Sequence, residues 1–85
     1  MVLIRYFAGA RQAAGVTEEK LTLAEPVPLK ALLERLAVTP NGPRVELAAA
    51  LPKCTFLVNE LAVTDDQILI EDGDQVDVLP PFAGG

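Results

Sequence analysis

The chain has 85 residues, 51% of them hydrophobic, with seven Lys and Arg, twelve Asp and Glu, no His and a formal net charge of -5. This length suits one domain, and the acidic balance argues against nucleic acid, whose phosphates require a basic surface. Without histidine there is no Ser-His or Cys-His nucleophile pair and no histidine metal ligand, so autonomous catalysis is not expected.

Two strands are predicted at the start of the chain. The first is VLIRYFA (2–8), which is rich in β-formers, has no helical period and fits a position near the middle of a sheet. A short turn is predicted for GARQAAG (9–15), where Gly15 suits a positive φ. The second strand is TEEKLTL (17–23), which alternates polar and apolar residues and is expected to form a hairpin with the first.

The main helix is predicted for PVPLKALLERLA (26–37), where the hydrophobic period changes. Pro28 is tolerated in the first turn, although no polar cap residue precedes it. Four leucines fall at i, i+3, i+4 and i+7 on one stripe: Leu29, Leu32, Leu33 and Leu36. We interpret this stripe as core rather than as a partner-binding zipper, because one helix must cover the sheet of so small a domain.

A short second helix is predicted for RVELAAAL (44–51), after a break at 40–43 and before Pro52, which is expected to end it. A strand follows at CTFLVN (54–59), and Asn59-Glu60 then turns the chain into a short apolar strand at 61–63.

The last strand is predicted for QVDVL (75–79), which follows a tight turn at Asp72-Gly73. Val76 and Val78 are expected to face inward, with Gln75 and Asp77 outward. The strand ends at Pro80, because proline has no N–H to donate to a ladder.

The order of the elements predicts the fold class. It is strand, strand, helix, strand, short strand, strand, which predicts an α+β domain with the β-grasp arrangement of ubiquitin: a mixed sheet with one main helix on one face. The predicted domain covers residues 1–79, and residues 80–85 are expected to form an extended tail.

The apolar stretches and the single cysteine bear on the compartment. The apolar stretches are short and interrupted by charges, which predicts no membrane-spanning helix, and no signal peptide is recognisable. Cys54 cannot form an internal disulfide, which a secreted domain of this size usually has. We therefore expect a cytoplasmic protein in which Cys54 is a small hydrophobe in a strand.

Six of the twelve acidic residues lie within 65–77, just before the tail, and nothing basic follows Lys53. One interpretation is a solvated acidic edge that keeps the protein soluble. The other is an electrostatic guide that brings the tail to a basic partner surface.

The chain closes with LPPFAGG (79–85), a stiff stem followed by Gly84-Gly85. Glycines often collect at poorly ordered chain ends, which is the simple interpretation. The functional one is that the terminal carboxylate of Gly85 is the working group and that the residues before it deliver it to a narrow site.

Four segments together resemble the MoaD family, the small sulfur-carrying subunit of molybdopterin synthase. They are YFAGARQAAG (6–15), Val58-Asn59, EDGDQV (71–76) and the ending LPPFAGG, and the resemblance covers the whole chain. It implies a β-grasp fold. Phe82 stands where the family more often has valine, which bears on the fit of the tail in a partner, and Gln12 stands where an acidic residue is common.

The resemblance implies a sulfur carrier in molybdenum cofactor biosynthesis. A ubiquitin-activating-like adenylating enzyme uses ATP to adenylate the carboxylate of Gly85, which then becomes a thiocarboxylate and donates sulfur to the molybdopterin precursor. The implied partner-binding residues are those of the stem and tip: Pro80, Pro81, Phe82, Ala83 and Gly84. The large catalytic subunit, with which the carrier forms a heterotetramer, binds the precursor, so this chain is expected to bind no cofactor or metal itself.

Three alternatives stay open at the level of sequence. The chain resembles sulfur carriers for thiamine or for tRNA thiolation at Gly84-Gly85, although the thiamine type usually lacks the Pro-Pro stem. It also resembles ubiquitin-like protein modifiers, which form isopeptide bonds to lysines. The third alternative is an interaction module with an inert tail. We expect partners to dock on the exposed side near the last strand.

Overall fold

The computed structural model describes residues 1–81. In chain order its elements are β1 (Val2–Tyr6), α1 (Ala8–Ala14), β2 (Glu18–Leu21), β3 (Val27–Pro28), α2 (Leu29–Leu36), β4 (Val38–Thr39), β5 (Gly42–Pro43), α3 (Val45–Ala50), a 3-10 turn (Leu51–Lys53), β6 (Thr55–Val58), β7 (Leu61–Val63), β8 (Leu69–Ile70) and β9 (Gln75–Leu79). No helix among these residues is long and apolar enough to cross a membrane.

The main sheet is mixed, and its strand order is β2-β1-β9-β6-β7. The first and last strands of the chain pair in parallel at its centre, with Ile4 opposite Val76. The β1–β2, β6–β7 and β6–β9 pairs are antiparallel. This order, with the main helix on one face, confirms the predicted β-grasp fold.

The core lies between the inner face of this sheet and the helices. Its sheet side consists of alternate residues of the two central strands: Val2, Ile4, Tyr6, Val76 and Val78. Three leucines of the α2 stripe, Leu29, Leu32 and Leu36, are fully buried against them, as predicted. Leu33 is only half-buried, because it lies at the edge of the helix–sheet contact.

Helix α1 replaces the turn predicted for 9–15, so that prediction was wrong. The segment is rich in alanine, the best helix former, and Ala10 and Ala14, one turn apart, are buried in the core. Gly15 has a φ of 80° and donates its N–H to the carbonyl of Arg11 at 2.9 Å, which ends the helix. The positive φ predicted for Gly15 is thus confirmed, but β2 is joined to β1 through a helix.

The start of α2 also differs from the prediction, because Val27 and Pro28 pair with Ile70 and Leu69 as a short separate ladder. The helix therefore begins at Leu29 and has no side-chain cap. Backbone carbonyls replace the cap: Leu29 and Lys30 donate their N–H groups to the carbonyls of Ile68 and Asp66, both at 2.8 Å.

The second predicted helix ends before Pro52, and Pro52 itself lies in a 3-10 turn. Helix α3 ends at Ala50, and Pro52 lies within the first residues of the 3-10 turn that follows. The missing N–H of proline is harmless there, because the first N–H groups of a helix have no partner within it.

Candidate functional site

The root of the C-terminal tail lies at the end of β9, between β1 and β6. The last ladder pair joins Thr55 to Leu79. Pro80, which follows, is half-buried and Pro81 is exposed. The predicted site residues Phe82, Ala83, Gly84 and Gly85 lie outside the described residues. The part of the site that the structure describes is therefore the stem and the surface around it.

Contacts with α1 and α3 fix the root on the inner side of the sheet. Phe7 donates its N–H to the carbonyl of Val78 at 3.0 Å, just before the stem. Ala8 then has a φ of 47°, which turns the chain sharply into α1. This turn places Gly9 beside Pro80, whose Cβ is 3.8 Å from where a Gly9 side chain would begin. Pro81 borders a shallow hollow lined also by Glu46, Ala49, Ala50 and Lys53.

The outer face of the sheet carries no helix among residues 1–81, since the buried residues of all three helices belong to the inner core. Alternation along β1, β6 and β9 directs one set of side chains outward: Leu3, Arg5, Phe7, Leu57, Gln75, Asp77 and Leu79. The four apolar members of this set are half-buried, and none belongs to the core cluster. We call this set the open face; it adjoins the tail root at Leu79.

A bidentate ion pair lies in the middle of the open face. Arg5 donates from Nε to Oδ1 of Asp77 at 2.8 Å and from Nη2 to Oδ2 at 2.9 Å. The guanidinium also lies over the ring of Phe7, 5.3 Å from its centroid. Hydrogen bonding to Asp77 raises the pKa of Arg5 above its ordinary value, so Arg5 stays charged.

Asp77 faces outward as predicted, but it is not exposed to solvent. Its side chain is only 4% exposed, against 37% for Arg5, which covers it. The interpretation of the acidic run as a solvated edge therefore does not hold at this position. The physical reason is that Arg5 and Asp77 are direct neighbours in the β1–β9 register, so the longer side chain lies across the shorter one.

Much of the acidic run at 65–77 builds local structure. Asp72 accepts the N–H of Leu23 at 3.1 Å and lies 3.4 Å from the N-terminal ammonium, and the hydrogen bond from Leu23 lowers the pKa of its carboxyl. Asp74 accepts the side-chain amide of Asn59 at 3.0 Å and the N–H of Glu71 at 2.9 Å. These carboxylates fix the loop before β9 in addition to their effect on net charge.

A second concave surface lies on the other side of the sheet, between α2 and the β6–β7 hairpin. It is a groove of about 780 Å³ whose apolar wall includes Leu33, Phe56 and Val63. Cys54 also lines it and donates its thiol to the carbonyl of Ala50 at 3.3 Å. Burial raises the pKa of this thiol, which disfavours the reactive thiolate.

Arg5, Phe7 and Leu57 are the surface residues that the sequence analysis did not single out. The signal was present in the alternation of VLIRYFA, where Arg5 interrupts an apolar run on the face opposite to Ile4. A charge within such a run indicates a partner on a neighbouring strand, here Asp77. Without the strand order, that partner could not be chosen among twelve acidic residues.

Comparisons with known proteins cover nearly the whole chain. A family model described as the ThiS family matches residues 4–85. The molybdopterin synthase sulfur carrier subunit of Chlamydomonas reinhardtii is 29% identical over 85 residues, which are 99% of this chain and 98% of that protein. A solved structure from Pyrococcus furiosus, assigned as subunit 1 of molybdopterin converting factor, superposes with a TM-score of 0.69 and 26% identity over 95% of this chain and 97% of that one.

The same fold occurs in a protein–protein complex. A chain from the complex of subunits 1 and 2 of the molybdopterin-converting factor of Helicobacter pylori superposes with a TM-score of 0.63. It is 22% identical, over 99% of this chain and 97% of that one. At this identity the likeness shows the fold.

Proposed function

The chain belongs to the ThiS family, and from this premise we propose that it is the sulfur carrier subunit of a molybdopterin synthase. Two observations support the proposal. The whole-chain relative from Chlamydomonas reinhardtii bears that name, in agreement with the resemblance to MoaD read from the sequence. The observation that carries it in the structure is the tail root: β9 is held between two strands and ends in two prolines at the surface.

The working group is the carboxylate of Gly85. A carboxylate is a poor acyl electrophile, because its delocalised charge repels nucleophiles. An adenylating enzyme therefore joins it to the α-phosphate of ATP and releases pyrophosphate. A sulfide equivalent displaces AMP from the acyl-adenylate, which leaves a thiocarboxylate. The sulfur then passes to the molybdopterin precursor in the synthase, and hydrolysis of the acyl bond restores the carboxylate of Gly85.

This chain's contribution to those steps is to deliver the C-terminal group of Gly85 into the active sites of its partners. Six residues follow Leu79 and, fully extended, they span at most about 20 Å, which suits entry into a partner while the domain stays outside. Pro80 and Pro81 have fixed φ angles, so threading the stem costs less conformational entropy. Gly84 and Gly85 have no Cβ and fit a channel too tight for other residues. Phe82 supplies an apolar anchor.

We place the docking surface for the large subunit on the open face. The face is half apolar, no described helix covers it, and it adjoins the stem at Leu79. A partner seated there would contact β9, the strand that carries the tail. The large subunit binds the precursor, the adenylating enzyme binds ATP, and this chain supplies no cofactor ligand.

The intact mass of the purified protein tests the proposal. After incubation with ATP, a sulfur source and the adenylating enzyme, we expect a mass gain equal to the replacement of one oxygen by one sulfur. A version lacking Gly85 is the control and should gain nothing. Adding the large subunit and the precursor should then return the mass to its starting value.

Other results would point to other functions. Mass gain without discharge to the precursor would indicate a carrier for thiamine or tRNA thiolation. Conjugates to lysines would indicate a protein modifier. No mass gain, with the adenylating enzyme shown to be active on another carrier, would overturn the proposal.

A further inference from the structure

The Arg5–Asp77 pair occupies an unusual place for an ion pair, because apolar side chains surround it on the surface proposed for docking. Leu57 lies opposite Asp77 in the β6–β9 register, and Phe7 lies under the guanidinium. A partner that covers Phe7, Leu57 and Leu79 therefore also covers Arg5. Any partner bound there removes water from the charged guanidinium of Arg5.

The two members of the pair face this loss of water differently. Asp77 accepts two hydrogen bonds from Arg5 and is already almost completely buried. Arg5 has five N–H donors and uses Nε and one donor of Nη2 on Asp77, and its side chain is 37% exposed. Its other three donors have no hydrogen bond within residues 1–81, and they must find acceptor oxygens when a partner excludes water.

We propose that Arg5 is a specificity-determining residue of this carrier, and that the large subunit whose docking it selects presents an acceptor oxygen, from a carboxylate or a carbonyl, to the outward edge of the guanidinium. This inference rests on the proposed function, which supplies the partner. Asp77 acts through Arg5: its two hydrogen bonds fix the guanidinium in place and so fix where the acceptor must lie.

The same arrangement rejects wrong partners. A purely apolar surface that fitted Leu57 and Leu79 would bury Arg5 with unsatisfied donors, which costs more binding energy than the apolar contact gains. Two glutamates also act on Arg5: Glu18 lies opposite it on β2, and the charges of Glu60 and Glu18 add to the effect of Asp77 in raising its pKa. Arg5 therefore remains charged over the working pH range, and the selection does not depend on pH.

Binding of the full-length large subunit to this chain, measured by calorimetry at several salt concentrations, tests the proposal. The main variant is the double substitution Arg5→Leu with Asp77→Leu, which leaves no unpaired charge and preserves folding better than either single change. We expect about a tenfold or greater loss of affinity, the effect of one hydrogen bond to a charged group. The control is Arg35→Leu, which removes an exposed arginine from the last turn of α2, on the helical side.

Arg5→Lys is the second variant, because it keeps the charge and changes the fold least. We expect it to lose part of the affinity, since an ammonium cannot hold the two-bonded geometry with Asp77. Thermal melts establish that each variant is folded.

The outcomes separate this inference from the proposed function. If the wild-type chain binds the large subunit and the double variant binds equally well, Arg5 selects nothing and the inference is overturned. The double variant could instead bind the large subunit normally and lose affinity for the adenylating enzyme, or change only its self-association. Either result would overturn the assignment of Arg5 to docking of the large subunit. If the wild-type chain accepts sulfur but does not bind the large subunit at all, the proposed function fails first and the inference with it.

Discussion

Replacing Glu60 by glycine should stabilise the protein. Asn59 and Glu60 form the two-residue connection between β6 and β7, and their φ values are 51° and 70°. Positive φ at both positions is the requirement of the tight hairpin turn that Asn-Gly satisfies best. Asparagine tolerates this conformation, whereas an ordinary side chain such as that of glutamate costs about 1–2 kcal/mol there.

The expected gain is smaller than that cost, because glycine also increases the conformational entropy of the unfolded chain. This stabilises the unfolded state by about 0.5–1 kcal/mol. The net effect of Glu60→Gly is a rise of about 0.5–1 kcal/mol in the free energy of unfolding. For a domain of this size that corresponds to about 2–8 °C in Tm. Urea unfolding followed by circular dichroism measures it.

Glu60→Ala is the matched control, because it removes the same carboxylate but keeps a Cβ in the left-handed conformation. Both variants lose the attraction between Glu60 and Arg5, so the difference between them isolates the backbone. We expect the glycine variant to be the more stable of the two. Equal stability, or a more stable alanine variant, would refute the argument from backbone strain.

Three further predictions concern the core, the buried phenol and the loop before β9. Leu36→Ala, at a fully buried position of α2, should lower the free energy of unfolding by about 3 kcal/mol in urea titrations; a loss below about 1 kcal/mol would contradict the packing described. Burial raises the pKa of Tyr6, whose hydroxyl is buried without a hydrogen-bond partner among the described residues; the fold thus favours the neutral phenol, and stability should fall as the pH rises above about 10, toward the raised pKa. Tyr6→Phe should abolish this alkaline loss without destabilising the protein at pH 7, and an unchanged pH profile would show that another group is responsible. Asp74→Ala should cost about 1–2 kcal/mol through its two hydrogen bonds, whereas Glu71→Ala, at an exposed position, should cost almost nothing; equal losses would contradict a structural role for Asp74.

The sequence predicted the elements that have a clear local signal. The alternation in β9 and the leucine stripe of α2 each follow from one face being buried, and β1 was predicted from its β-forming residues. Helix α1 was missed because Gly9 lies in its first turn, Gly15 ends it and only alanines face the core, a signal too weak to distinguish a helix from a turn. The short β3–β8 ladder joins distant segments, which no local pattern contains. The β4–β5 pair is a local hairpin across residues 40–41, in the stretch that the sequence analysis interpreted only as a break.

In the candidate site too, local features could be predicted from the sequence and contacts between distant residues could not. The sequence alone indicated the stem, because Pro80 and Pro81 limit the backbone wherever they occur, and its role in binding partners stays a prediction. The Arg5–Asp77 pair was not, because its members are 72 positions apart and meet only through the parallel pairing of the first and last strands. The acidic run also looked more uniform in sequence than it is, since Asp74 and Asp77 have hydrogen-bonded partners. Charge reversal at those two positions would therefore perturb the fold together with the electrostatic field.

The position of β9 has a consequence for the order of events during folding. The strand that carries the tail follows every other described strand in the chain, and yet it lies between β1 and β6 in the middle of the sheet. Contacts between such distant segments form slowly, because a long loop must close first. The open face is likewise incomplete until β9 has inserted into the sheet, since its members Asp77 and Leu79 are residues of β9. A chain in which β9 has not yet inserted therefore lacks the complete open face.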